Sequence, residues 1–271
     1  MTQEDFDRLQ ALMASRAGFR LGRDRINLAE HRLAPVARRE GFDTVEAMLG
    51  TLWTRPVASL GWAVIEALLN PETWFRRDRA MFDTFATELL PAIARARPDG
   101  LVRVWSAGCS SGQEAYSLAI GALDTGTHVE IIATDLSQRA VERGRSGVFS
   151  AFEIQRGLSA RTMLRWFDRA DDAWVTRPAL RDAVRFARHN LMDAPVDAAR
   201  FDVIFCRHVL GDMDPQKRGQ VVDGLERRLV DDGVLVLGTD ERIDGDTIAF
   251  RPVGGRPGLF VKAPSALSRA A

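Results

Sequence analysis

Apolar residues in the first 70 positions recur at helical spacing: Phe6, Leu9, Leu12 and Met13, then Ile26, Ala29, Leu33 and Val36. Two further runs follow, from Thr44 to Leu52 and from Val57 to Leu69, and breaks fall at Gly18, Gly41 and Pro56. Beyond residue 70 the pattern changes. After one more helix around Phe82 to Ala94, short apolar runs predict strands near 102–107, 129–134, 184–189, 201–207 and 233–238, with helical stretches between them. Such alternation predicts an α/β fold, a mainly parallel, doubly wound sheet with helices on both faces. The last runs, DTIAFRPV and GLFVKA, are separated by GGRP and read as a closing hairpin, so the last strand is antiparallel. The stretch from Ala170 to Phe186 alternates weakly and predicts a small β-subdomain near 170–186. The expected organisation is a small all-helical domain over 1–70, then the sheet domain over 71–271.

The segment VRVWSAGCSSGQEAYSLAI, Val102 to Ile120, runs from a strand through a glycine-bearing loop into a helix. Gly108 and Gly112 allow tight turning, Ser110 or Ser111 can cap the helix, and helix-opening amides favour an anionic group. A phosphate-gripping loop needs a lysine after its second glycine, but this loop reads G-C-S-S-G-Q-E, with Glu114 placed to repel phosphate. ATP and GTP hydrolysis are thereby disfavoured. The dinucleotide fingerprint is not met either, yet VEIIATD ends at Asp135, about 20 residues past the loop, where an acid can bind ribose hydroxyls. Ribose recognition without a phosphate cradle points to a phosphate-free adenosine ligand, of which S-adenosylmethionine is the common one.

Composition narrows the class further. The 271 residues are 46% hydrophobic, enough for one large core and a small accessory domain. The polar start MTQEDFDRLQ does not read as a signal peptide, and no apolar run approaches the roughly 20 residues that span a bilayer, so the expected location is the cytoplasm without membrane insertion. Zero net charge gives nucleic acid no general attraction. Cys109 and Cys206 have no metal-ligand spacing, so neither a metal site nor a disulfide framework is expected.

At this point the chain resembles one family over almost its whole length, the chemotaxis receptor methyltransferases of the CheR type. That family writes its loop W-S-A-x-x-S-x-G-E-E-x-Y-S, and Trp105 to Ser117 reads WSAGCSSGQEAYS. Its T-x-F-F-R-[DE]-x-x-x-F is echoed by TWFRRDRAMF, Thr73 to Phe82. Ala133 to Leu136, Asn190-Leu191 and Asp202 to Val209 match its A-[ST]-D-I, N-L and D-x-I-x-C-R-N-V, and the helical start is similar to its small N-terminal domain.

The resemblance implies an S-adenosylmethionine-dependent methyltransferase fold and methyl-ester formation on glutamates of chemoreceptor signalling helices, with S-adenosylhomocysteine as product. A glutamate is already ionised at pH 7, so the task is to hold carboxylate, methyl and sulfur in line and to exclude water. By similarity Thr73, Arg77, Glu114, Asp135, Asn190, Leu191, Arg207 and His208 line the cofactor. Arg77 would stand near the methionine carboxylate and the incoming glutamate, Glu114 would meet the amino group, and Asp135 the ribose. Read singly, Arg77 is one surface arginine among many, Glu114 a first-turn acid and Asp135 a strand-end cap.

Departures from the family pattern bear on catalysis. Gly211-Asp212-Met213 replaces the family's I-Y-F, so Asp212 stands where the tyrosine of the transfer site is expected, and a carboxylate there opposes an anionic glutamate. The family's G-H-S-E reads Gly238-Thr239-Asp240-Glu241, and His208 replaces an asparagine. Ala170 to Phe186 is shorter than in members that tether to a receptor tail, so tethering through a tail pentapeptide is not expected. Arg25, Arg32 and Arg39, seven apart, form either a docking face for an acidic partner or a solvated face with local partners such as Glu30, and Pro35 would kink their helix. The readings are, in order, a receptor glutamate methyltransferase using Arg77 and Asp212 at its catalytic site, a cofactor-binding regulator with weak or lost transfer, and a methyltransferase for a neutral nucleophile with Asp212 as base.

Overall fold

The structure is a computed structural model and describes residues 1–55, 57–193, 200–243 and 248–263. The expected break at Pro56, and Asp246 and Thr247 of the penultimate apolar run, lie outside the described residues. The chain divides into two compact units, Met1–Asn70 with Asp212–Arg218, and Pro71–Gly211 with Gly219–Ala271.

In the first unit four helices, Gln3–Ala17, Ile26–Arg39, Val45–Thr54 and Ala58–Leu68, bury their apolar stripes. Thr2 and Thr44 cap two of them by accepting from Asp5 and Ala47 amides, and Gly18 ends the first helix left-handed. The helix from Ile26 continues past Pro35 to Arg39. Arg25, Arg32 and Arg39 do not share one solvated face: Arg32 is half-buried and donates to the Leu68 and Leu69 carbonyls at 3.1 and 3.0 Å, capping another helix, while Arg39 pairs with Glu40. Asp212–Arg218 joins this unit through a bridge between Phe19 and Met213 and through the Arg20 amide, which donates to the Asp212 carbonyl at 2.9 Å.

Among the described residues the second unit has ten strands: β1 Val102–Ala107, β2 Val129–Asp135, β3 Val148–Ser150, β4 Phe167–Ala170, β5 Ala173–Thr176, β6 Val184–Arg188, β7 Phe201–Phe205, β8 Leu229–Val236, β9 Phe250–Pro252 and β10 Leu259–Lys262. Seven form one sheet in the order β6-β2-β1-β7-β8-β10-β9, parallel from β6 to β8 and antiparallel at β10 and β9. The mainly parallel sheet and its closing hairpin thus agree with the periodicity. β8 begins at Leu229, earlier than the apolar run alone indicates, because the helix Pro215–Arg228 feeds directly into it. The helix expected around Phe82 runs from Arg79 to Ala96 with a π turn at Phe85–Leu89. Pro91 follows that turn; a proline has no amide to donate and its ring crowds the preceding carbonyls, which accounts for the local widening.

The small sheet, β3-β5-β4, is placed differently from the expected 170–186. It recruits Val148–Ser150 from before the helix Ala160–Trp166 and ends at Thr176, because Pro178 opens a helical turn and Val184–Arg188 belongs to the large sheet. The length of Ala170 to Phe186, which underlies the expectation of no tail tethering, therefore does not measure this sheet. Phe75 is buried edge-on to Phe149 of β3 and Phe167 of β4, at 5.0 and 5.7 Å between ring centroids. Gly157 has φ 110°, and an added Cβ would lie 1.8 Å from the Phe75 carbonyl oxygen. Gly157→Ala therefore meets both backbone strain and overlap, and is expected to lower unfolding free energy by about 2 kcal/mol or more in urea titration.

Candidate functional site

The parallel strands end along one edge, and the strand order sets where a ligand can enter. From β1 the chain adds β2 and β6 on one side and β7 and β8 on the other, so the connections diverge beside β1. Open parallel sheets bind ligands in the crevice at such a switch point, outside the carboxyl ends of the strands. Glu114 follows β1, Asp135 ends β2, Asn190 and Leu191 follow β6, and Arg207 and His208 follow β7.

The loop after β1 is tied down by backbone bonds. Gly108 and Cys109 amides both donate to the Thr134 carbonyl, at 2.8 and 2.9 Å. Ser110, left-handed at φ 49°, donates its amide to Asp135 Oδ2 at 2.8 Å, and the Ser137 amide donates to Oδ1 at 2.9 Å. The His189 amide donates to the Asp135 carbonyl at 2.9 Å, which brings Asn190 and Leu191 to the same edge. Neither Ser110 nor Ser111 caps the helix Gln113–Thr125, contrary to expectation. The cap is Gly112 without a side-chain bond, because Ser110 Oγ donates to the Pro71 carbonyl and Ser111 Oγ to Gln113 Oε1. Gly112 has φ 94°, and a Cβ there would meet the Phe186 ring at 2.9 Å, so the loop closes on the sheet only with glycine.

The strongest electrostatic feature is Arg207, whose side chain is 1% exposed. Its guanidinium donates to Glu114 Oε2 at 3.1 Å, to Asp78 Oδ2 at 2.5 Å and to the Arg77 carbonyl at 2.8 Å, beneath the Phe82 ring. Its Nε is buried with no acceptor among the described residues. Ser106 Oγ donates to the other Glu114 oxygen at 2.8 Å, so Glu114 is oriented from both sides at the head of its helix. His208 is left-handed at φ 58°, with Nε2 3.2 Å from Asp78. Glu241 fixes that turn: Oε2 accepts the His208 and Gly238 amides at 2.6 and 2.8 Å, and Oε1 the Gly211 amide at 3.3 Å.

A strap from Pro71 to Asp78 crosses the loop. The Arg76 amide donates to Ser117 Oγ at 2.9 Å, and Thr73 is half-buried within the strap. Arg77 lies outside the buried cluster. Its Nη1 donates to the Glu72 carbonyl at 3.1 Å and its Cζ lies 4.4 Å from the Trp74 ring centroid, with no carboxylate partner among the described residues. A guanidinium without a carboxylate partner, an oriented carboxylate and a strand-end acid thus stand on one unit, the set that a zwitterionic, ribose-bearing ligand requires.

Asp212 is exposed, ends the short helical turn Leu210–Asp212 and groups with the first unit. Asp240 is likewise exposed. His189 is a core residue against Trp105, its imidazole pushed down in pKa by burial. Asp78, Ser106, Trp74 and Glu241 were not singled out from sequence. Asp78 directly follows the matched Arg77, and Glu241 is the matched acid closing Gly238–Glu241, so both could have been found from their place in the motifs.

Residues 71–259 match the family model CheR, described as the CheR methyltransferase, SAM binding domain. The chain is 29% identical over 270 residues to the chemotaxis protein methyltransferase Cher2 of Pseudomonas putida, covering 96% of this chain and 98% of that one. It is 31% identical over 271 residues to the chemotaxis protein methyltransferase of Vibrio parahaemolyticus, covering 97% and 98%. Among solved structures, a TehB-like SAM-dependent methyltransferase from Corynebacterium glutamicum aligns with TM-score 0.39 and 14% identity, covering 69% of this chain and 96% of that one.

Two outcomes test the geometry. Replacing Glu241 with alanine removes the shared acceptor of three amides and is expected to cost about 2–3 kcal/mol in urea unfolding, and glutamine about 1 kcal/mol. Burial raises the thiol pKa of both Cys109 and Cys206 well above the usual range, so neither should react with Ellman's reagent at pH 8 until the protein is denatured.

Proposed function

Because the chain belongs to the CheR methyltransferase family, we propose that this S-adenosylmethionine-dependent methyltransferase of chemotaxis signalling esterifies glutamate side chains on the cytoplasmic signalling helices of chemoreceptors. The observation that carries the reading is an Arg77 with no carboxylate partner among the described residues, together with an oriented Glu114 at the switch-point edge.

The donor set fits the cofactor. Glu114, held by Ser106 and Arg207, would accept from its ammonium, and Asp135, fixed by the Ser110 and Ser137 amides, would accept from the ribose hydroxyls. Thr73, Asn190, Leu191 and His208 line the remainder, and Arg77 offsets the negative charge of the methionine carboxylate and of the arriving glutamate. S-adenosylmethionine supplies a methyl on a positively charged sulfur. The acceptor carboxylate is ionised at pH 7, so no residue needs to remove a proton. What the protein contributes is orientation: the buried Arg207 cluster prevents Glu114 from swinging, and the fixed loop holds Asp135 against Ser110. Carboxylate acceptors and a transfer step without a general base together predict a rate that changes little between pH 7 and 9.

The site is on a chain in which, among the described residues, no helix is long and apolar enough to cross a membrane. We place its action in the cytoplasm, where receptor signalling helices are exposed. The exposed Asp212 favours a second reading, a cofactor-binding regulator with little transfer. Calorimetry with S-adenosylhomocysteine and base-labile methyl incorporation into a receptor signalling domain separate the two. Tight binding with incorporation is expected, and Asp212→Tyr should raise turnover. Binding without incorporation, unrescued by Asp212→Tyr, would leave only the regulator, and absence of binding would remove both.

A further inference from the structure

Trp74 lies against two guanidiniums. Arg77 Cζ is 4.4 Å and Arg156 Cζ 3.8 Å from its ring centroid, both within the roughly 6 Å over which an indole attracts a cation. The carboxylate that accompanies them is Glu72, 3.5 Å from Arg156 and itself 53% exposed. Among the described residues Arg77 donates only to the Glu72 carbonyl. The cluster therefore carries an excess of positive charge on a half-buried aromatic surface, and Arg156 is 43% exposed to an arriving anion. A loose, solvated pairing such as that with Glu72 is readily exchanged for another carboxylate.

Arg156 is also held in place by its backbone. It follows the helical turn Ala151–Gln155, whose start is fixed by a capping box between Ser150 and Glu153. The next residue, Gly157, is pressed against the Phe75 carbonyl, and Phe75 is anchored among Phe149 and Phe167. Arg156 thus stands at a set distance from the strap that carries Trp74 and Arg77.

We propose that Arg156, laid on Trp74, is a specificity-determining residue that binds a second carboxylate of the acceptor protein, beside the one that Arg77 meets. Both guanidiniums share one ring, and acids three or four positions apart on a helix lie about 5–6 Å apart. The acceptor selected is accordingly a helix with an acidic side chain one turn from the modified glutamate. This rests on the protein-glutamate reading above.

Initial rates of base-labile methyl incorporation into a purified chemoreceptor cytoplasmic domain test it, alongside calorimetric binding of S-adenosylhomocysteine. For Arg156→Gln the expected result is an acceptor KM raised about tenfold, with kcat and cofactor Kd within about twofold of wild type. Arg156→Lys keeps the charge without the planar stacking and should raise KM about threefold. It also serves if the glutamine variant melts early. Replacing the acid one turn from the modified glutamate with glutamine should raise the wild-type KM similarly and leave the Arg156→Gln KM unchanged. An unaltered acceptor KM in both Arg156 variants overturns the inference, as does a joint fall in kcat and cofactor affinity, which marks a purely structural clamp. Wild-type protein that incorporates no base-labile methyl overturns the glutamate reading and this inference with it, whereas an active wild type with unaltered Arg156 variants overturns only the inference.

Discussion

The buried guanidinium of Arg207 is the constraint on which the rest of the site depends. Taking an arginine out of water costs several kcal/mol unless carboxylates and further acceptors surround it, and here Glu114 and Asp78 do so together with the Arg77 carbonyl. The three acceptors come from the helix after β1 and from the strap before it, while Arg207 itself follows β7. One charge therefore binds together segments that are far apart in sequence. Removing either carboxylate would leave a buried guanidinium N–H without its acceptor, so the cluster enforces its own geometry.

That geometry is reinforced at the backbone. His208 adopts a left-handed conformation in which few residues other than glycine are comfortable, and Glu241 collects the amides that this turn leaves without partners. Asp135 does the same for the loop after β1. Two carboxylates at the sheet edge thus work as fasteners for backbone amides. The oriented groups are consequently in position before any ligand arrives, which is the condition for electrostatic preorganisation.

The fold was legible where periodicity was strong. The parallel strands are short apolar runs bounded by polar turns, and the first four helices carry amphipathic stripes, so both are visible one residue at a time. The small sheet was not, because β3 is separated from its partners by two helical stretches and pairing of that kind leaves no local pattern. Among site residues, Glu114, Asp135 and Arg207 were reached through the motif, but their mutual bonding was not: nothing in sequence separation shows that Arg207 meets Glu114 and Asp78. Arg32 shows the opposite failure. Its spacing with Arg25 and Arg39 suggested a common face, yet its guanidinium is drawn in by unpaired carbonyls at a helix end. Spacing describes one helix, while carbonyls at the end of another decide where a long side chain goes.

The return of Asp212–Arg218 to the first unit has a consequence for how this protein can be inherited or rebuilt. A module encoded by residues 1–70 alone would lack Met213, which is 1% exposed in the folded chain and pairs with Phe19. The helical unit is stitched into the middle of the transferase gene as well as to its front. Recombination or truncation at the apparent boundary would cut it in two, so the two units are expected to travel through evolution as one inseparable piece.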